Sequence, residues 1–317
     1  MDVTRLRLLV ELERLGTMAA VAEVTGMSTS AVSKHLAVLE RETQVRLLVP
    51  EGRRVRLTPA GQRLVEHAVG ILERIEAAQA ELQGDTTPTG VVRLVSFVSA
   101  ATAIALPAMR QLRVDHPAVD VRLIDLEPEP ALAALLSGTA DLGIVYEYSL
   151  VPRTVPERLN RTVLGDEPLY LAEPARSESP AAQGRQATRA RLRSLAKAAW
   201  ITNSQGSDED ELVQRICVTA GFTPLIRHRL DNLDLHLDLI GAGLGVGILP
   251  QLGLPDGGEP PPETRLTPLG ALGGVRRVFL VARGGEWSWP PIRTVARCLR
   301  QSATRVLASP ESDSSAH

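Results

Sequence analysis

The stretch Met18–Glu40, MAAVAEVTGMSTSAVSKHLAVLE, constrains the fold more than any other part of the chain, because it reads as two short helices meeting at a fixed angle. Ala22, Gly26 and Val32 supply a small residue where the helices touch, a glycine able to turn with positive φ, and an apolar plug on the second helix. Ser28 stands where an N-cap is needed, ahead of a helix expected over Thr29–Leu39. Val32, Leu36 and Leu39 fall on one face at helical periodicity, which leaves Thr29, Ser30, Ser33, Lys34 and Ala37 on others. A helix that buries one stripe and offers hydroxyls and a cation suits the DNA major groove. Just downstream, Arg53, Arg54 and Arg56 crowd beside the turn residue Gly52. Taken alone, the helix pair could be an ordinary hairpin and the arginines a solvated face; side by side they read as a recognition helix and a wing touching phosphates or a minor groove.

Composition bounds what the rest can be. A chain of 317 residues has room for two or three domains, and its 44% apolar content supports real cores. Aromatics at 3% mean that those cores are built from Leu, Val and Ala. No run of about 18 apolar residues occurs, so no membrane span is expected. The N-terminal MDVTRLRLLVELERL carries charges through its apolar positions and reads as a first helix, capped by Thr4 or Asp2, with Leu6, Leu9, Val10 and Leu12 inward, rather than as a signal peptide. Cys217 and Cys298 form neither a CxxC pair nor a zinc set, and a cytoplasmic setting with two buried thiols is expected. The net charge of −2 argues against nucleic acid for the whole chain. Between Ser28 and Thr58, however, Lys34, Arg41, Arg46, Arg53, Arg54 and Arg56 outnumber Glu40, Glu42 and Glu51, so the contact surface is locally positive.

After the wing, Thr58 and Pro59 start a helix reaching about Leu82. Leu64, Ala68, Ile71, Ile75, Ala78 and Leu82 repeat at heptad spacing along it, which suggests a paired helix in a dimer. The turn-rich Gly84–Gly90 marks a boundary. Beyond it, strands near 91–97, 119–126 and 141–146 alternate with helices over 100–115 and 130–137, a βαβαβ order with parallel strands. A second unit follows with strands near 162–164, 169–172, 200–202 and 226–230 and helices near 210–220 and 233–242. A strand over 277–282 and a helix over 291–304 are expected to return to the first unit. The polar end from Ser309 is expected to be disordered.

In this order of parts the chain resembles the LysR-type transcriptional regulators. The resemblance is carried by Ser28…Ala31-Val32-Ser33-Lys34…Leu39-Glu40, by Arg53 to Gly61, by Leu106-Pro107…His116-Pro117, by Gly138 to Ile144 and by the Gly-rich Gly241 to Pro250. It covers nearly the whole length. It implies a winged helix-turn-helix DNA-binding domain over 1–58, a linker and dimerisation helix over 59–84, and a periplasmic-binding-protein-like α/β effector domain over 85–308. In that domain subdomain I takes about 90–160 with 267–305, subdomain II takes 161–266, and a tail follows over 309–317. The departures are local: Thr29-Ser30 replaces a frequent Gln-Pro, Gln44 a common Gly before the wing, and Thr25 a usual Leu.

The resemblance maps Ser33 and Lys34 to base edges or phosphates and Arg53 to the wing. Thr29 and Ser30 at the helix start, with Arg54 and Arg56, complete the DNA-facing set. Double-stranded promoter DNA is then the partner, bound at an interrupted palindrome by a homodimer, with a dimer of dimers implied by the family and RNA polymerase a further partner for an activator. The effector is expected in the crevice between the two α/β units. The slot that holds a hydroxyl in the family is Ala100 here, flanked by Ser99 and Thr102; Asn203 and Ser204 lie across the crevice and Tyr146 near the hinge. Convergent helix N-termini favour a small organic anion, with a neutral or aromatic effector also open. No metal and no cofactor is expected. Two other classes fit parts of the chain. A two-lobed solute binder would suit 91–304 but leaves the helix pair without a role. An enzyme would need a P-loop, GxSxG or zinc set, none of which occurs; the six histidines show no triad spacing, and His228 and His236 are expected at the surface.

Overall fold

In a computed structural model, residues 1–51, 54–82, 88–175, 186–255 and 261–309 are described. Arg53 of the expected wing, the linker residues Gly84–Thr87 and the tail from 310 onward lie outside them. The chain divides into two compact units, one formed by 1–92 with 116–122 and 137–139, the other by 93–115, 123–136 and 140–317.

The first unit opens with three capped helices. α1 (Val3–Leu15) starts at Asp2, whose side chain accepts from the Thr4 amide at 2.8 Å, and ends at Gly16 with φ of 74°. α2 (Met18–Thr25) is capped by the Thr17 hydroxyl and ended by Gly26, and α3 (Thr29–Thr43) is capped by the Ser28 hydroxyl. Each cap satisfies an N–H that has no partner inside the helix. The core joins Leu6, Leu8, Leu9 and Leu12 to Val21, Ala22, Val32, Leu36 and Leu39. Leu8 therefore enters the core, whereas Val10, expected inward, is only half-buried, because the stripe on α1 is centred one residue earlier. β1 (Leu48–Glu51) and β2 (Arg54–Leu57) pair antiparallel with Leu48 opposite Leu57. α4 (Pro59–Leu82) follows, and at its start a Cβ on Gly61 would collide with the Leu47 carbonyl oxygen, so only glycine allows the helix to approach the strand there. Ala68 and Val65 of α4 lie in the unit's own core, while Ile71 and Ala78 of the heptad series are exposed.

The remaining elements alternate. In chain order they are β3 (Gly90–Ser96), α5 (Val98–Ala100), α6 (Leu106–Asp115), β4 (Val119–Asp125), α7 (Pro128–Ser137), β5 (Leu142–Tyr148) and β6 (Leu159–Pro174). Then come α8 (Arg189–Ser194), β7 (Ala199–Thr202), α9 (Asp208–Thr219), β8 (Leu225–Arg229), α10 (Leu233–Gly241), β9 (Gly247–Pro250), β10 (Thr264–Pro268), β11 (Val275–Arg283) and α11 (Pro290–Ala303). One seven-stranded sheet runs β10-β6-β11-β5-β3-β4 with β9 also on β6, and β7 pairs with β8 separately. β3 and β5 are parallel, as their βαβαβ order requires, and so are β7 and β8. β11 returns antiparallel to both β5 and β6, which completes the first α/β layer.

Two expectations are corrected. The short strands placed near 162–164 and 169–172 are one 16-residue strand, β6: its first half pairs with β11 and its second with β9 and β10, so Gly165 interrupts the pattern without ending the strand. His236, read as a surface residue, is fully buried, with Nε2 2.7 Å from the Leu230 carbonyl oxygen, and burial lowers its pKa. Cys217 and Cys298 are buried thiols as expected. Among the described residues, no helix is long and apolar enough to cross a membrane.

Candidate nucleic-acid interface and buried polar centre

α3 has two chemically distinct faces. Val32, Leu36 and Leu39 anchor one in the core, while Thr29, Ser30, Ser33, Lys34, Ala37 and Arg41 are all exposed. Positions 30, 33–34, 37 and 41 recur every three or four residues, so they share a side of the helix. The Ser28 hydroxyl accepts from the Ala31 amide at 3.2 Å and lies 3.0 Å from the Ser30 hydroxyl, which fixes the helix start. Arg41 continues this face through the last turn. Its signal was the i+4 spacing from Ala37, which the sequence reading spent on net charge alone.

The segments after α3 are tied to it by side chains. Glu40 Oε1 accepts from the Leu47 and Leu48 amides at 2.8 and 3.0 Å, holding the start of β1 against the helix. The Thr58 hydroxyl donates to the Arg46 carbonyl at 2.8 Å and accepts from the Gly61 amide at 3.0 Å, joining the strand pair to α4. Arg56 is exposed on β2 opposite Val49, and Arg54 pairs with Glu51 in strand register.

In the second unit, the expected effector residues separate into two groups. Thr102 is exposed and its hydroxyl donates to the Val98 carbonyl of its own turn, and exposed Ser204 gives both its amide and hydroxyl to Asp231, at 2.8 and 2.6 Å. Both are occupied locally. Ala100 is fully buried and offers no polar atom. Ser99, Tyr146 and Asn203, by contrast, reach a buried polar centre whose other members come from distant segments.

Arg276 of β11 is its hub. It is 3% exposed, donates through Nε to Glu167 Oε1 and through Nη2 to the Ser99 hydroxyl at 3.1 Å. Its guanidinium lies 4.9 Å from the Phe97 ring centroid and 4.7 Å from that of Tyr146. The rings pack edge to face, Phe97 on Tyr146 and Tyr146 on Tyr148. This is the geometry in which a planar cation is attracted by aromatic faces. Glu167 is fully buried and accepts from the Leu252 amide through its other oxygen, so the pair is neutral and satisfied.

The other carboxylates have no such partner. Tyr146 donates to Glu127 Oε2 at 2.8 Å. With its amide nitrogen toward α9, Asn203 donates to Glu209 Oε1 and Oε2 and to the Leu230 carbonyl, each at 3.2 Å. Burial pushes the Glu209 carboxyl up to about 8 against the opposing pull of Arg276, with Glu127 and Asp231 adding to the rise. Burial likewise raises Glu127, against the Tyr146 hydroxyl bond, and raises both Tyr146 and Tyr148. The Ser204 bonds hold Asp231 below the usual carboxylate range.

Sequence reading missed Phe97, Glu127, Tyr148, Glu167, Glu209 and Arg276. Arg276 was missed because the last strand was started at Arg277, two residues after its true start at Val275, and Arg276 is a buried strand position. The carboxylates carry no local signal. Glu209 sits in an acidic helix start that reads as ordinary capping, since Asp208, Asp210 and Glu211 surround it.

Comparison with known proteins completes the picture. Residues 3–62 match the family model described as bacterial regulatory helix-turn-helix protein, lysR family, and residues 85–304 match the LysR substrate binding domain. The nitrogen assimilation regulatory protein nac of Klebsiella aerogenes is 32% identical over 173 residues, covering 54% of this chain and 55% of that protein, so the chain spans about half the length of that relative. The transcriptional dual regulator GltC of Bacillus subtilis is 25% identical over 79% of this chain and 81% of its own length. Among solved structures, full-length OxyR from Pseudomonas aeruginosa, a variant form, matches with a TM-score of 0.64 at 20% identity, covering 96% of this chain and 97% of that one, which shows the fold.

Proposed function

The chain belongs to the LysR family of helix-turn-helix regulators, and from that premise we propose that it is a ligand-responsive transcription factor acting on double-stranded promoter DNA. The observation that carries this reading is the exposed face of α3, where Ser30, Ser33, Lys34 and Arg41 line up on a helix whose other side is locked into the core. Ser33 and Lys34 would meet base edges, Thr29 and Ser30 a phosphate at the helix start, and Arg53, Arg54 and Arg56 the neighbouring backbone or minor groove. The exposed Ile71 and Ala78 on α4 support a homodimer formed through that helix, which would set two recognition helices against an interrupted palindrome. A tetramer, a cytoplasmic site of action and, in an activator, contact with RNA polymerase follow from the family. The effector would bind at the polar centre around Ser99, Tyr146 and Asn203 and shift the equilibrium between two arrangements of the dimer.

The test is fluorescence anisotropy against the DNA upstream of the protein's own coding region, titrated over a salt series with wild type beside Lys34→Ala. Specific binding whose log–log salt slope drops by about one unit in the variant supports the reading. Binding indifferent to Lys34, or none at low salt, removes α3 as the contact surface.

A further inference from the structure

We propose that the exposed arginine face of α11 docks on the acidic face of α10 in a second copy of this chain, a contact separate from pairing through α4.

The two charges are segregated along the sequence. From Leu230 to Glu263 the chain holds Asp231, Asp234, Asp238, Asp256, Glu259 and Glu263 and neither Lys nor Arg. From Trp287 to Ser309 it holds Arg293, Arg297, Arg300 and Arg305 and neither Asp nor Glu. Folding gathers part of each set on a helix. Asp234 and Asp238 are exposed one turn apart on α10, with exposed Asp231 just ahead of it, while His236, Leu237 and Ile240 take the buried side. Arg293, Arg297 and Arg300 are exposed along α11, while Ile292, Val295, Ala296 and Leu299 are buried. Recurrence every three or four residues puts each set on one side of its helix.

These charges are left over within one chain. The buried arginines are matched, Arg191 to Glu173 and Arg276 to Glu167. Among the described residues, Asp234, Asp238, Arg293, Arg300 and Arg305 have no ion pair. α11 packs on α6 and α10 on the strands β6, β9 and β10, and no ion pair joins the two helices.

The stripes also match in spacing. Four residues of helix rise about 6 Å, so Asp234 and Asp238 are spaced along α10 as Arg293 and Arg297 are along α11. Laid antiparallel, the helices set Arg293 opposite Asp238, Arg297 opposite Asp234 and Arg300 opposite Asp231. Exposed Leu235 lies on the same side of α10 and adds apolar area, and the Arg300 guanidinium stands 5.7 Å from the Trp287 ring centroid, which orders it in advance. Arginine at every basic position suits carboxylates, because the guanidinium fork takes both oxygens at once. One exposed ion pair contributes little; several in register form a network. Duplex DNA would satisfy α11 but leaves the acidic face of α10 without a role, whereas a second copy accounts for both.

Sedimentation velocity on the full-length protein, free of DNA, at about 50 mM and about 500 mM NaCl tests the contact. The expected result is concentration-dependent association beyond the α4 dimer at the lower salt, weakened about tenfold at the higher. Arg293→Glu with Arg297→Glu, and separately Asp234→Arg with Asp238→Arg, should each weaken it by about tenfold. The chain carrying all four changes should recover it, since the charges match again with their signs exchanged. Arg293→Gln with Arg297→Gln, and Asp234→Asn with Asp238→Asn, should act in the same direction as the reversals and stand in where a reversal does not fold. Association that neither pair of changes moves, or a folded four-change chain that fails to recover it, overturns the proposal. A protein that stays dimeric at the lower salt also overturns it and leaves the α4 pairing standing. Loss of non-specific duplex binding in the α11 variant, with self-association unmoved, assigns α11 to nucleic acid instead and overturns it as well.

Discussion

The two functional regions keep their polar groups in opposite surroundings. On α3 the hydroxyls and the ammonium of Lys34 stand in water, on a helix whose position is fixed by leucines and valines that take no part in recognition. In the second unit the polar groups are themselves the interior: Arg276, Glu167, Ser99, Tyr148 and Glu209 are each more than nine-tenths buried. On the proposed function, stability and recognition are therefore separable in the first region and joined in the second. A substitution on α3 should change what the protein binds without changing whether it folds; one in the buried centre should do both.

The largest effect that would sharpen this contrast is Arg276→Ala. It leaves Glu167 fully buried without its cation and empties the space between Phe97 and Tyr146. Breaking a buried pair by removing one partner costs about 3–5 kcal/mol, so chemical denaturation should show the effector unit losing that much. Arg276→Met, tested with Glu167→Gln in the same chain, should recover part of it, because no buried charge is then left alone. Full stability in Arg276→Ala would mean that the centre is wet and that its resemblance to a packed core is superficial.

Glu209→Gln reverses the sign. Folding raises this carboxyl to about 8 from an ordinary value of 4.5, through burial opposed by Arg276 and the Asn203 amide and reinforced by Glu127 and Asp231. A raised acid is favoured in its neutral form. Its contribution to stability is complete below pH 4.5 and is lost as pH rises through about 8. Gln is always neutral, so the variant should come close to wild type near pH 5 and exceed it at pH 8.5 by roughly 4 kcal/mol, read as a rise in Tm. A buried carboxylate that is stabilising the fold as an anion would give the opposite trend.

Lys34→Ala should leave stability within about 0.5 kcal/mol of wild type, as for other exposed positions. Its cost is expected in DNA affinity, by about tenfold at moderate salt, or about 1.4 kcal/mol. A loss of stability comparable with that of Arg276→Ala would erase the distinction between the regions.

The same contrast explains what the sequence revealed. α3 was legible because all of its evidence is local: the Ser28 cap, the Val32, Leu36, Leu39 stripe and the hydroxyls between them lie within a few turns of one helix. The strand and helix order of the effector unit was legible for a similar reason, since each element carries its own periodicity. The buried centre was not. It joins Ser99 to Arg276 across 177 positions, a pairing that only the sheet order creates. Ser99 and Asn203 follow the ends of β3 and β7, where ligands gather in α/β folds, and Tyr146 lies within β5 near its end. Thr102 and Ser204 satisfy the same rule and are spent on local bonds, so position at a strand end finds the neighbourhood but not the participants. Glu127 and Arg276 were invisible because nothing near them in sequence marks them as members of one charge cluster.

The smallest expected effect belongs to a residue that links recognition to stability within the first region. Gln44 closes α3 with φ of 55° and is the non-glycine residue with positive φ among those described. The left-handed backbone here is one that a side chain tolerates poorly, because a Cβ crowds the following carbonyl in that conformation. Gln44→Gly removes that strain at some cost in unfolded-chain entropy, which leaves a net gain of up to about 1 kcal/mol. Gln44→Val, whose branched Cβ tolerates this φ poorly, should lose more than the glycine gains. Because Glu40 fixes the start of β1 independently through Leu47 and Leu48, the gain from glycine should appear in Tm while DNA affinity stays unchanged. If affinity instead falls when Gln44 becomes glycine, the strained turn is part of how the wing is presented, and the separation between holding the fold and reading DNA ends at this residue.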